Sequence, residues 1–90
     1  MSSGSYALPN VVDFASVVAL RAALLELRGA DLEVDAGAVQ RIGGLGLQVL
    51  LSASRMWRAD ELNFSIVRAS EPFTEILRLT GAAELPEFAA

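Results

Sequence analysis

The stretch V-D-A-G-A-V-Q-R-I-G-G-L-G-L-Q-V-L-L, residues 34–51, constrains this chain more than any other. It runs from the end of an apolar strand, through a polar turn and a glycine step, into an amphipathic helix. Leu32 and Val34 supply the strand's apolar side chains, and turn chemistry at residues 35–37 ends it. Gly43, Gly44 and Gly46 stand where Leu45, Leu47, Leu50 and Leu51 take up helical spacing. A helix that starts this way leaves backbone N–H groups without partners inside the helix. The junction can therefore hold an anion or present a surface to another molecule.

The rest of the chain reads as strands and helices in alternation. Residues 1–5 are small and polar and are expected to be a disordered N-terminus, with residues 6–90 forming one domain. Tyr6, Ala7 and Leu8 read as a short strand, Pro9-Asn10 as a break, and Val11-Val12 as a second extended segment. Asp13 or Ser16 can cap a helix that runs to about residue 28. Its stripe is Val17, Leu20, Leu24 and Leu27, flanked by Val18 and Leu25, and Gly29 suits the position after its end.

A strand with Leu32 and Val34 follows, then the glycine junction, then a helix to about residue 60. That helix carries Leu47, Leu50, Ser54 and Trp57 on one line and Val49, Ala53 and Met56 on another, so it is apolar over more than half its girth. Residues 63–67 form a short strand. Ser70 caps a third helix with Phe73, Ile76, Leu77 and Thr80 on its buried face, and Gly81 ends it. Leu85, Pro86 and Phe88 lie in a tail that either docks on the body or stays mobile. Strands separated by helices predict an α/β fold, with a small, mixed, largely parallel sheet and helices packed mainly on one face.

Composition removes most chemistry. The chain has no histidine, no cysteine and no lysine, and its net charge is −4. The commonest general base, thiolate nucleophile and metal ligands are missing, and so is the basic footprint that nucleic acid requires. Ser52 and Ser54 have no base beside them in the sequence. Asp13, Asp31, Glu33, Asp35 and Asp60 fit no metal-ligand spacing, and strand alternation sets Asp31, Glu33 and Asp35 on a solvated face. The Gly-Gly-Leu-Gly cluster lacks the Gly-Lys-Ser/Thr ending of a phosphate loop. Val49 occupies the place of a third dinucleotide-loop glycine. Trp57 and Met56 at helical spacing read as core first and as a binding patch second. No catalytic residue, cofactor or metal is expected, nor any segment inserted in a membrane, and the cytoplasm is the expected compartment.

Three motifs in order carry a family resemblance. Asp13, Ser16, Leu20, Arg21 and Leu24 form D-x-x-S-x-x-x-L-R-x-x-L; the 34–51 stretch follows; E-I-L-R-L-T-G-A-A-E-L closes the set. Together they resemble the STAS domain, the fold of bacterial anti-sigma-factor antagonists, over residues 11–85. The resemblance implies a non-catalytic interaction module whose partner contacts Gly43, Gly44, Leu45, Gly46, Leu47 and Gln48. It also implies a partner that is either an anti-sigma factor of the histidine-kinase-like ATPase kind or a chemotaxis component. In the family pattern an aspartate falls at Gly43 and a phosphorylated hydroxyl at Gly44, so that switch is missing here. A weak homodimer is compatible with the apolar second helix. The family also implies an alternative: a nucleotide-binding domain, or an accessory domain seated on the ATPase of a lipid transporter.

Overall fold

The computed structural model describes residues 3–80 and 88–89. Its elements are β1 (Ser3–Ala7), β2 (Val11–Val12), α1 (Phe14–Leu27), β3 (Asp31–Asp35), β4 (Arg41–Ile42), α2 (Gly44–Ala59), β5 (Phe64–Val67), α3 (Glu71–Thr80) and β6 (Phe88–Ala89). Four strands form a sheet in the order β1-β3-β5-β6, and β2 pairs with β4 in a second, two-stranded sheet. Every one of these pairings is parallel. The α/β architecture expected from the alternation of strands and helices is the one observed.

The two sheets come from one interrupted ladder. β1 and β3 run paired to Ala7 opposite Asp35, and the Leu8 N–H still donates to the Asp35 carbonyl (2.9 Å). Both strands then break. One breaks at Pro9, which cannot donate to a ladder. The other breaks at Gly37, whose N–H donates to Asp35 Oδ1 (2.8 Å) in an Asx turn. They meet again at Val11 opposite Arg41 and Val12 opposite Ile42. From that second ladder both α1 and α2 depart.

Alternation decides which side of the main sheet is covered. Leu32, Val34, Phe64 and Ile66 are buried, while Glu33 between them is exposed and Ser65 is half-buried. The helices therefore lie against one face, and the other carries Ser5, Ala7, Glu33 and Ser65. Asp31 and Asp35 also belong to that open side. Asp31 Oδ1 accepts from the Asn63 N–H (3.0 Å), and Asp35 Oδ2 from Arg68 Nε (2.9 Å).

The helix ends follow local chemistry. Asp13 caps α1, accepting from the Ser16 N–H at 3.0 Å, while the Ser16 hydroxyl lies 3.0 Å from both Asp13 Oδ1 and the Val11 carbonyl. Gly29, at φ +106°, follows the C-cap in a conformation glycine adopts without steric cost. Ser70 caps α3 by accepting from the Phe73 N–H (3.2 Å). Arg28 reaches across to Asp60 with Nε 3.0 Å from Oδ2, so the far ends of α1 and α2 are tied together.

Several expectations change. Ser3, Gly4 and Ser5, expected to be disordered, belong to β1, where they pair with Asp31, Leu32 and Glu33. β4 and β6 were not anticipated; each is two residues long, too short for a periodic signal. Val18 and Leu25 do not flank a buried face but stand in solvent, 57% and 62% exposed. On α3, Phe73 and Leu77 are buried and Ile76 is half-buried. The Thr80 side chain, the Gly81 stop and the placement of Leu85 and Pro86 lie outside the described residues.

Three carboxyls are held below the usual range by their hydrogen bonds. Asp13 is lowered first by the Ser16 N–H, Asp35 by the Gly37 N–H and then Arg68, and Asp60 by Arg28. A lowered folded value means that the contribution is fully present above the unfolded value, about pH 4. It is lost as pH falls through the folded value. The urea midpoint is expected to fall below about pH 4, and to fall less steeply in Asp35→Asn/Asp60→Asn. Parallel pH profiles for the two proteins would exclude this account.

Candidate functional site

The glycine junction sits where the β2–β4 ladder hands over to α2. Gly43 is the N-cap of α2 in extended conformation, without a side-chain cap, and the Leu47 N–H donates to its carbonyl (3.2 Å). Its own N–H reaches the Val12 carbonyl at 3.4 Å, which fixes the start of α2 beside the start of α1. The three glycines then divide. A Cβ at Gly43 or Gly44 would meet nothing within 4 Å, whereas one at Gly46 would lie 2.9 Å from Ile42 Cγ1 and 3.0 Å from Val12 Cγ1. Of the three glycines, Gly46 is thus the one that lets the helix start pack closely on the strands.

The six residues expected at the contact edge divide the same way. Gly43, Gly44, Leu45 and Gln48 are exposed, and Leu45 is 59% accessible despite being apolar. Gly46 and Leu47 are buried. They seat the helix and leave their neighbours to face outward. Trp57, weighed with Met56 as a binding patch, takes no part in a surface patch. Trp57 is fully buried, its Nε1 donates to the Ala30 carbonyl (2.7 Å), and its ring lies 5.7 Å from that of Phe64.

Residues not anticipated for the site adjoin the edge. Phe14, 71% exposed, follows the α1 cap, and an open cleft of about 560 Å³ is lined by Val11, Asp13, Arg41, Ile42, Gly43 and Ile76. Sequence placed Val11 and Arg41 thirty positions apart, and only the parallel register of β2 and β4 brings them together. The surface is apolar, with one cation and one carboxylate at its border. Among the described residues no group of three or more histidine, cysteine, aspartate or glutamate side chains gathers as a metal cage, and no helix is long and apolar enough to cross a membrane. Ser54 is buried within α2, away from the edge.

Three helices on parallel sheets, with a glycine start to the second helix facing solvent, define a small α/β domain of the STAS type. A family model described as Mlab, STAS domain matches residues 7–87. The chain belongs to the STAS family, and so to a superfamily of anti-sigma-factor-antagonist-like domains that are generally non-catalytic. Among curated proteins none matches the sequence.

Proposed function

We propose that this domain is a non-catalytic docking module whose protein partner seats on Gly43, Gly44, Leu45 and Gln48. The observation that carries the reading is the uncapped, solvent-facing start of α2, with open space beyond two glycines and an exposed leucine beside them. A surface without side chains at its centre lets a partner's backbone or a flat side chain come close to the helix N–H groups. No hydroxyl stands at Gly44, so phosphorylation there cannot add the charge of about −2 that would repel a partner. The module docks constitutively at that position. A kinase-type anti-sigma factor or a chemotaxis component in the cytoplasm is the partner class this reading favours.

Membership of the STAS family carries a second reading, implied by the resemblance: an accessory domain on the ATPase of a lipid transporter. Both readings use the same edge, and both are tested with Gly44→Asp. An aspartate there meets no neighbour and lies in the first turn of α2, where the helix dipole favours a negative charge. The variant is expected to melt no lower than wild type and to recover the native partner about tenfold less well. Equal recovery by both baits would remove the edge from the interface. The identity of the recovered ATPase, kinase-type or transporter-type, decides between the readings. If the domain instead binds nucleotide, millimolar ATP or GTP will raise its melting temperature.

A further inference from the structure

α1 carries two apolar stripes, and the fold uses one. Val17, Leu20 and Leu24 are buried. Phe14, Val18, Arg21 and Leu25 form a second line at spacings of four, three and four, the seam spacing of a coiled coil. All four are exposed. α2 repeats the spacing at Leu45, Val49, Ser52 and Met56, each 31 positions after its counterpart; Leu45 and Ser52 are exposed, and Val49 and Met56 are half-buried against the core. Since both helices leave one parallel ladder side by side, the two seams run in step. Between them lies a groove of about 260 Å³, lined by Arg21, Leu25, Val49, Ser52 and Met56 over a floor of Leu24 and Ala53.

We propose that this groove receives a helix of another protein, laid along α1 and α2 as the third member of a three-helix arrangement. The layers specify its chemistry. Phe14 with Leu45, Val18 with Val49, and Leu25 with Met56 call for apolar residues at heptad spacing. The layer of Arg21 and Ser52 calls for a carboxylate. Arg21 is the only charge lining the groove and has no ion pair among the described residues. A carboxylate there would satisfy it and fix the register of the incoming helix.

A second copy of this chain seated through its own α1 and α2 is a poor occupant. Neither seam holds an acidic residue, and Glu26, the one acid in either helix, stands off both. A copy seated that way would bury Arg21 without a partner, which is costly. The incoming helix would share Leu45 with the glycine edge, but Arg21 and the other groove-lining residues lie outside that edge, so the Arg21 layer is tested whether or not the edge is an interface.

Photo-crosslinking tests it. A benzophenone amino acid at Val18 or at Leu25, in the full chain expressed in its host, is expected to join a segment of another protein. That segment should be apolar at four-three-four spacing, with a carboxylate at one of the two inner positions. Arg21→Glu, on an exposed site and folding normally by its melting curve, should lower the yield about tenfold. Changing the partner's carboxylate to arginine should restore it. Crosslinks to a second copy, a joined segment without that pattern, an unchanged yield in Arg21→Glu, or no crosslink from either position would each overturn the proposal. Gly44→Asp reads the glycine edge and Arg21→Glu reads the groove, so either can fail alone.

Discussion

Trp57→Ala is expected to lower the stability of this domain by about 3–5 kcal/mol, the range for deleting a large aromatic from a core. A chain of this length has roughly 5–13 kcal/mol in total, so the variant is expected to lose a large part of its margin and to melt well below wild type. Two losses combine. The indole is fully buried against Phe64, and its removal leaves a cavity. The Ala30 carbonyl loses the donor that now sits at 2.7 Å. Trp57→Phe separates the two, since it keeps most of the volume but not the hydrogen bond, and should cost a smaller amount, about 1–3 kcal/mol. Urea unfolding measures both. If Trp57→Ala cost less than about 1 kcal/mol, this tryptophan could not be the centre of the core.

The second large effect comes from a change of opposite kind. Gly46→Val should destabilise by about 1–3 kcal/mol through overpacking, because its Cβ would press on Ile42 and Val12 at 2.9 and 3.0 Å. Val12 and Ile42 are paired, buried and β-branched, so they have few alternative rotamers into which to retreat. The start of α2 must shift instead, carrying Gly43, Gly44 and Leu45 with it. Two residues away the sign reverses: Gly44→Ala meets nothing and gains helix propensity, up to about 1 kcal/mol. Thermal melts of the two variants should move in opposite directions. Movement in the same direction would mean that α2 does not pack on the β2–β4 ladder as described.

This contrast also marks how far the sequence could be read. Three glycines in four positions announced a strand-to-helix junction, and that is where it lies. Which glycine is packed and which are open depends on the Val12–Ile42 pairing, a contact between residues thirty apart that no local pattern encodes. The helices were legible because Val17, Leu20 and Leu24, or Leu47, Leu50 and Trp57, repeat over several turns. β4 and β6 were not, because two residues hold no period. Burial was harder still. Val18 and Leu25 are as apolar as Val17 and Leu24, and only the placement of α2 beside α1 decides which pair meets the core. The same limit hid Phe14 and Arg41, whose bearing on the site comes from register alone.

The empty space beyond Gly44 has an evolutionary consequence. Glycine and serine codons can differ by one base, as can those of glycine and aspartate. Nothing in the packing opposes either side chain at that position. A lineage carrying this domain could gain a phosphoacceptor, or a permanent charge in its place, by a single point mutation and without compensating change in the core. Whether the docking proposed at this edge is switchable is therefore not set by the architecture. Selection can revise it in either direction while the fold stays the same.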